Sequence, residues 1–256
     1  MNTPDLAPTR TALAEAEQQV TRMGDQWPTV WDQLDGFRKQ PPVPWPKWCL
    51  LPMAAALGAA NSDPGRIGND TIARISALNA WRYTRSVYMV EPHLMSRLLT
   101  QVPDQIGLDD LVGLPEWCIA LTSPERPGVN MWMHLEYDVN TGRPELRLLL
   151  ELSTPLVVPV YLDRGSTTEA LADMGATTLA SLQGPGADVH GGELDSTTAS
   201  YAELIDGYLA LAAYLARPEA DIVHATQPGV RPVKPKRPKK DTDIWLVGYR
   251  SAMPTA

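Results

Sequence analysis

Cysteine, phenylalanine and histidine are scarce in this sequence of 256 residues. It contains two cysteines, one phenylalanine and four histidines. Cys49 and Cys118 form no CxxC pair, and so low a cysteine content agrees with a reducing compartment. There is no apolar run of the length that spans a bilayer and no charged-then-apolar signal segment at the N-terminus. We therefore expect a cytoplasmic protein without membrane contact.

The common sequence motifs of catalytic and cofactor sites are also missing. Gly184-Pro185-Gly186 is not followed by Lys-Ser/Thr, so it is no phosphate loop, and there is neither a GxSxG elbow nor a dinucleotide fingerprint. The only local group of metal-ligand residue types, 188–193, has the composition of a solvated turn. The histidines are scattered along the chain, at His93, His134, His190 and His224. These absences predict a non-enzyme with no metal and no cofactor.

A cysteine–histidine enzyme is the alternative that we keep. Cys118, His134 and Asp138 would supply its groups, and alternation along a strand places His134 and Asp138 on one face. However, Cys118 lies between Trp117 and Ile119, and an apolar setting raises a thiol pKa. We expect a buried structural cysteine.

Short apolar runs closed by turn residues organise the middle of the chain. Asn140-Thr141-Gly142 and Ser153-Thr154-Pro155 are tight-turn sequences, so neighbouring runs should pair as antiparallel hairpins. The runs are Leu114–Leu121, Met131–Asp138, Leu146–Leu152 and Leu156–Tyr161, and Ile244–Arg250 is a further strand expected at the sheet edge. The prediction is an α+β fold, with a mainly antiparallel sheet of about five strands flanked by helices.

Helical patterns precede and follow the strands. One helix is expected over Thr9–Leu34 with a break or kink at Pro28, and another from Asn69 or Asp70 through Val87 and Tyr88. Others should start at Pro92, at the capping box of residues 166–169, and near Ser196 or Thr198. We divide the chain into an N-terminal helical segment (1–40), an α+β core domain (41–226), a basic Pro/Lys-rich linker (227–243) and a C-terminal strand and tail (244–256).

Charge is unevenly distributed. The net charge is −8, but residues 231–250 carry +5, which leaves −13 on the remainder. Proline excludes a helix in the basic segment and predicts an extended, mobile chain. Its cations are expected to contact RNA phosphates or the ribosome surface, or alternatively to dock on the acidic body. They are Arg231, Lys234, Lys236, Arg237, Lys239 and Lys240.

Five short motifs occur in an order that resembles a family of type V-A anti-CRISPR proteins. They are Pro46–Met53, Ala80–Thr84 with Tyr88, Leu114–Cys118, the strand and turn Trp132–Gly142, and Glu219–Ile222. The resemblance implies a bacterial host cell and a protein that lowers production of the Cas12-type nuclease. It would do so by recognising the N-terminal part of the nascent nuclease and promoting loss of its message, so the nascent peptide, mRNA and ribosome are the implied partners.

The aromatic motifs suggest a peptide site made of Trp81, Arg82, Tyr88 and Trp117. An arginine held flat beside an aromatic ring presents a fork to peptide carbonyls or carboxylates. The alternative for the tryptophans and the tyrosine is core packing. The alternative function is a nucleic-acid-binding accessory protein of a plasmid or phage that acts through its basic segment.

Overall fold

A seven-stranded mixed sheet forms the centre of the protein in a computed structural model, which describes residues 4–60, 67–101, 103–153, 155–164, 169 and 204–249. The strand order across the sheet is β5-β4-β3-β2-β1-β7-β6. The strands are β1 (Ser86–Val90), β2 (Ile119–Thr122), β3 (Met131–Asp138), β4 (Arg143–Leu150), β5 (Leu156–Tyr161), β6 (Ile222–His224) and β7 (Asp243–Val247).

Strand direction divides the sheet into two parts. From β2 to β5 every neighbouring pair is antiparallel, whereas β1 runs parallel to both of its neighbours, β2 and β7. The predicted α+β class and the β3–β4 and β4–β5 hairpins are confirmed, and Gly142 takes the positive φ of 75° that its turn requires. The expected number of about five strands is too low, because the sequence analysis does not predict β1 and β6, and the two parallel pairs of β1 make the sheet mixed.

Helices cover both faces of the sheet. Those before β1 pack on one face, and those after it pack on the other. They are α1 (Ala7–Gln26), α2 (Val30–Lys39), α3 (Met53–Ala60), α4 (Asn69–Thr84), α5 (Pro92–Leu99), α6 (Leu108–Leu111) and α7 (204–215). The interruption between α1 and α2 falls at Pro28, as predicted. The predicted capping box at 166–169 and the starts at Ser196 or Thr198 fall largely or wholly outside the described residues.

Alternation along the strands sorts side chains between the two faces. On β3, Met131, Met133 and Leu135 enter the core beneath α5 and α7, whereas Trp132 packs in the core beneath α1 and α4. His134 and Glu136 share the face of Trp132, since successive residues of a strand point to opposite sides. This second face therefore carries buried polar groups next to an apolar core.

The helix α4 ends earlier than the sequence pattern indicated. It stops at Thr84, and Arg85 adopts a left-handed conformation with φ 49° that turns the chain into β1. The indole Nε1 of Trp81 donates to the carbonyl of Ser86 at 2.7 Å and fixes this turn. Val87 and Tyr88 are therefore strand residues, because β-branched and aromatic side chains suit the completely buried β1 better than a further helical turn.

The last strand is internal to the sheet rather than at its edge. β7 pairs with β1 over five residues and with β6 over three. Trp245 is buried, lies 4.9 Å edge-on from the His224 ring and donates its Nε1 hydrogen to Glu116 at 3.3 Å. The prediction of an edge strand is thus wrong, because a short apolar run in the sequence gives no sign that both sides of the strand are paired.

Candidate functional site

The two aromatic residues Trp81 and Tyr88 lie in the core, on opposite faces of the sheet. Trp81 is 1% exposed and packs edge-on against Trp132 with ring centres 6.1 Å apart. Tyr88 is completely buried and faces Trp245 at 6.3 Å. The structure does not bring them together, and burial leaves neither ring accessible to a peptide.

Arg82 lies at the surface of α4 and is held by its neighbours. Its guanidinium sits 4.7 Å from the centre of the Trp31 ring, which is the stacked arrangement expected for an arginine beside an aromatic. The side chain donates to Asp35 at 3.4 Å and to Asn79 at 3.3 Å. Arg82 therefore connects α4 to α2 and remains partly exposed.

Trp117 anchors the basic segment. Its Nε1 donates to the carbonyl of Pro235 at 2.7 Å, and Lys234 Nζ approaches its ring to 5.4 Å. Lys234 also donates to the carbonyl of Val112 at 2.9 Å, and burial lowers the pKa of this lysine to about 8. The segment is extended as predicted, but it docks on the body instead of projecting freely.

The six basic residues divide into two sets. Arg231 donates to the carbonyls of Ala220 and Ile222, and Lys239 forms an ion pair with Asp243. Together with Lys234 these residues hold the segment in place. The exposed cations that remain for an external partner are Lys236, Arg237 and Lys240.

A cavity of about 720 Å³ opens between α3, the start of α4 and the outer part of the sheet. We call it the groove. Its lining comes from widely separated parts of the chain, which the pairing of β3, β4 and β5 brings together. The lining residues are Met53, Ala54, Leu57, Ile67, Asn69, Asp70, Ile72, Glu136–Asn140, Glu145, Arg147, Pro155–Val157, Pro159 and Tyr161.

Glu136 forms the centre of the groove floor and is 1% exposed. One carboxylate oxygen accepts the backbone N–H of Met53 at 2.5 Å, and the other accepts the hydroxyl of Ser76 at 3.2 Å. His134 Nε2 lies 3.3 Å from the same second oxygen. These contacts fix the carboxylate in position and attach α3 and α4 to β3.

A buried ion pair lies beside Glu136. Glu145 and Arg147 are both on β4, and the guanidinium donates to the Glu145 carboxylate and to the sulfur of Met53. Burial raises the pKa of Glu145 even though Arg147 opposes the shift. For Arg147, burial would lower the pKa, but Glu145 and Glu136 outweigh it and keep the guanidinium charged.

The groove combines an acidic floor with apolar walls. Asp138 adds a further charge: burial favours its neutral form, but hydrogen bonds from Thr141 and Asn140 hold its pKa below the usual value. Among the residues that the structure describes, four carboxyl groups line the groove against a single arginine. Leu57, which is 40% exposed, stands on the wall. Such a site suits a ligand that has an apolar group next to a positive charge.

A pattern of alternating charged residues in the sequence indicates the acidic floor of the groove. Charged residues recur at every second position, at Glu136 and Asp138 on β3 and at Glu145 and Arg147 on β4. Because alternate residues share a face, a run of alternating charge on paired strands predicts a polar patch inside an otherwise apolar sheet. The partners on α3 and α4 carried no comparable signal.

The thiol of Cys118 is a poor nucleophile. It is completely buried, and burial raises its pKa far above the usual value.

Over the described part of the chain there is no group of three or more His, Cys, Asp or Glu side chains arranged to hold a metal ion. In that same part, none of the helices has the length and apolar character of a membrane span.

Glu116 is a third buried carboxyl group and accepts a hydrogen bond from Trp245. Burial raises its pKa to about 8, although hydrogen bonds from Ser86 and Trp245 and the charge of Lys239 act in the opposite direction. A carboxyl group with a folded-state pKa above its unfolded value of 4.5 stabilises the fold only while the folded form keeps its proton. This contribution is complete below about pH 4.5 and is lost as pH rises towards 8.

Replacing Glu116 by glutamine should remove this pH dependence. We compare the stability difference between the two proteins, which is the free energy of unfolding of the wild type minus that of Glu116→Gln. This difference should decrease by about 1.4 kcal/mol for each pH unit between pH 5 and 8. Urea unfolding at several pH values measures the difference. Parallel stability curves for the two proteins over this range would show that Glu116 keeps an ordinary pKa in the fold.

Comparison with known proteins adds a family assignment to this geometry. A sequence profile described as "AcrVA2-like: Anti-CRISPR type V subtype A2 family" matches residues 88–253. Among solved structures, the chain is similar to the crystal structure of AcrVA2, with a TM-score of 0.64 and 16% sequence identity over 94% of this chain and 85% of that chain. No curated protein sequence matches.

The profile covers well over half of the chain, and the solved structure has the same fold. The resemblance to type V-A anti-CRISPR proteins, noted from the motifs between Pro46 and Ile222, is thereby confirmed. The chain belongs to the anti-CRISPR type V subtype A2 family, and its function is that of an anti-CRISPR protein.

Proposed function

We propose that this anti-CRISPR protein binds a peptide segment of a type V-A CRISPR nuclease, presented on the nascent chain, in the groove, and so lowers expression of the nuclease. It acts as a binding protein and catalyses no reaction. The observation that carries the proposal is the groove itself, in which a fixed acidic floor meets apolar walls. Recognition of one target segment follows from matching both properties at once.

The floor selects for positive charge. Glu136 and Glu145 are buried, and Arg147 is their only cationic neighbour in the groove lining of the described residues. A lysine or arginine side chain, or the α-ammonium of a nascent N-terminus, would pair with Asp70 and Asp138, the more exposed carboxylates of the lining, and the buried glutamates would add attraction at longer range. An acidic segment would be repelled, which provides specificity.

The walls select for an apolar side chain next to that charge. Leu57 on α3 and Val157 on β5 contribute apolar side chains to the lining. β5 is the terminal strand in the sheet order, so an extended segment can lie along it. Pro159, which has no N–H to offer, limits backbone pairing there. Side-chain pockets rather than a long β-ladder should therefore give most of the affinity.

The four residues first assigned to peptide binding are distributed differently. Trp81 and Tyr88 stabilise the two cores, and Arg82 and Trp117 fix α2 and the basic segment. Arg82 and Trp117 keep partly exposed side chains, and contact between them and the target stays a prediction. The groove is the better peptide site because it has both volume and unbalanced charge.

A second candidate function is binding of mRNA or ribosomal RNA through the basic segment, as in a plasmid or phage accessory protein. The observation that favours it is that Lys236, Arg237 and Lys240 remain exposed on a segment held rigidly by Trp117. Prepositioned cations lose little entropy on binding phosphates. This activity is compatible with peptide binding in the groove.

Replacing Leu57 by aspartate should weaken binding of the target peptide at least about tenfold, because it removes an apolar wall contact worth roughly 1.5–3 kcal/mol and adds a charge beside other carboxylates. Fluorescence anisotropy with overlapping peptides that cover the nuclease measures affinity. In cells, nuclease protein and message should recover in the variant.

Leu99→Asp is the matched control. Leu99 is another exposed leucine at a helix surface, on α5 and therefore on the opposite side of the sheet. The Leu99→Asp variant should bind the peptide and repress the nuclease as the wild type does. Equal binding by both variants, or no binding of any nuclease peptide by the wild type, would show that the groove is not the peptide-binding site.

A further inference from the structure

A second cavity, of about 320 Å³, lies where the basic segment crosses α1 and the end of α4. We call it the notch. It shares no lining residue with the groove. Three cationic side chains and one carboxylate line it, together with small and apolar groups. Its residues are Glu17, Val20, Thr21, Trp81, Arg82, Arg85, Pro238 and Lys239.

Each cation in the notch is held in place by a carboxylate. Arg82 pairs with Asp35 and Lys239 with Asp243, and neither aspartate lines the cavity. Arg85 pairs with Glu17, which does line it and whose side chain is 44% exposed. The aspartates therefore orient two cations from behind, whereas Glu17 occupies the position that an incoming anion would take.

Arg85 is the most constrained member of the notch. It adopts the left-handed φ of 49°, which an arginine rarely takes, and its Nε is buried without a hydrogen-bond partner among the described residues. Arg85 lines the notch together with Arg82 and Lys239. A buried N–H with no acceptor has a strong preference for a ligand oxygen.

We propose that the notch binds a phosphate group, with Arg85, Arg82 and Lys239 as its ligands and with Glu17 displaced into solvent. Phosphate carries up to two negative charges and several acceptor oxygens, which suits three cationic donors in one cavity better than a single carboxylate does. The phosphate belongs either to an RNA backbone, continued along exposed Lys236, Arg237 and Lys240, or to a small phosphate ligand. Phosphate binding in the notch is independent of peptide binding in the groove.

Calorimetric titration with inorganic phosphate, pyrophosphate and a ten-nucleotide single-stranded RNA tests the inference on the full-length protein. Arg85→Asn should weaken phosphate and pyrophosphate binding at least tenfold, and asparagine tolerates the left-handed backbone. Lys239→Gln should act in the same direction. Glu17→Gln should strengthen binding, since it removes the competing carboxylate, and a damaged fold would not produce that gain.

Lys47→Gln is the control, because it removes the same charge from an exposed residue that lines neither cavity. It should change phosphate affinity less than twofold. If the notch variants also weaken RNA binding and phosphate competes with RNA, the ligand is the RNA backbone; if they affect only the small anions, it is a small phosphate. Absence of phosphate and RNA binding by the wild type, or equal losses of phosphate affinity in Lys47→Gln and Arg85→Asn, would overturn the inference.

Discussion

Ending the chain after Thr242 should abolish cooperative folding. This truncation removes β7, which lies between β1 and β6 and contributes the buried Trp245 and Val247 to the main core. The loss would expose the edge of β1, detach β6 and leave Glu116 buried without its indole partner. Circular dichroism during heating should show no cooperative transition.

A chain ending after Tyr249 is the control. It keeps all of β7 and the Gly248 N–H that donates to the carbonyl of Asp221. It should unfold cooperatively, close to the full-length melting temperature. A cooperative transition in the shorter chain, within a few degrees of the control, would show that the sheet does not depend on β7.

Replacing Arg147 by methionine should lower the free energy of unfolding by about 3–5 kcal/mol. The change leaves Glu145 and Glu136 buried without their cation, and an uncompensated buried charge costs about that much. Burial already raises the pKa of Glu145, and loss of Arg147 raises it further. The cost should therefore be smallest below about pH 4.5, the ordinary pKa of a glutamate, and should grow as pH rises.

Arg143→Met is the control on the same strand. Arg143 pairs with Asp163 at the surface, with a nitrogen–oxygen distance of 2.8 Å, and a partly exposed pair contributes at most about 1 kcal/mol. Denaturant unfolding at pH 5 and pH 8 compares the two variants. Equal small losses at both pH values would mean that water reaches the groove floor and screens its charges.

The hairpins of the sheet could be predicted because their signals are local. The bounds predicted for β3 and β5 are those observed, and the turn sequences 140–142 and 153–155 predict that β4 pairs with both strands. By contrast, β1 follows a strong helix pattern with no Gly or Pro between them, and Arg85 makes the turn in a conformation that its residue type does not favour. β6, at three residues, was too short to stand out.

The candidate sites depend on contacts between distant parts of the chain. Glu136 accepts from Met53, 83 residues earlier, and Trp117 donates to Pro235, 118 residues later. Neither contact has a sequence signal, since each requires the sheet to be formed first. The sequence analysis placed Trp81 in a peptide-binding site. Large aromatic side chains more often pack in the core, as Trp81 and Trp132 do here.

The docking of the basic segment also depends on contacts that the sequence does not reveal. Its charge and proline content correctly predicted an extended chain, and docking on the acidic body was the alternative considered. Composition alone does not choose between a free and a docked segment, because the choice depends on single acceptors such as the carbonyl of Val112 that binds Lys234. That docking in turn creates the notch from Lys239 and α4.

Photo-crosslinking from the groove tests the central claim most directly. A photoreactive phenylalanine derivative replaces Leu57 in one protein and Leu99 in another, and each is expressed in cells that translate a type V-A nuclease. Mass spectrometry should identify one short nuclease segment, with an apolar residue next to a positive charge, attached at position 57 and absent at position 99. Nuclease peptides attached equally at both positions, or at neither while repression persists, would contradict the account.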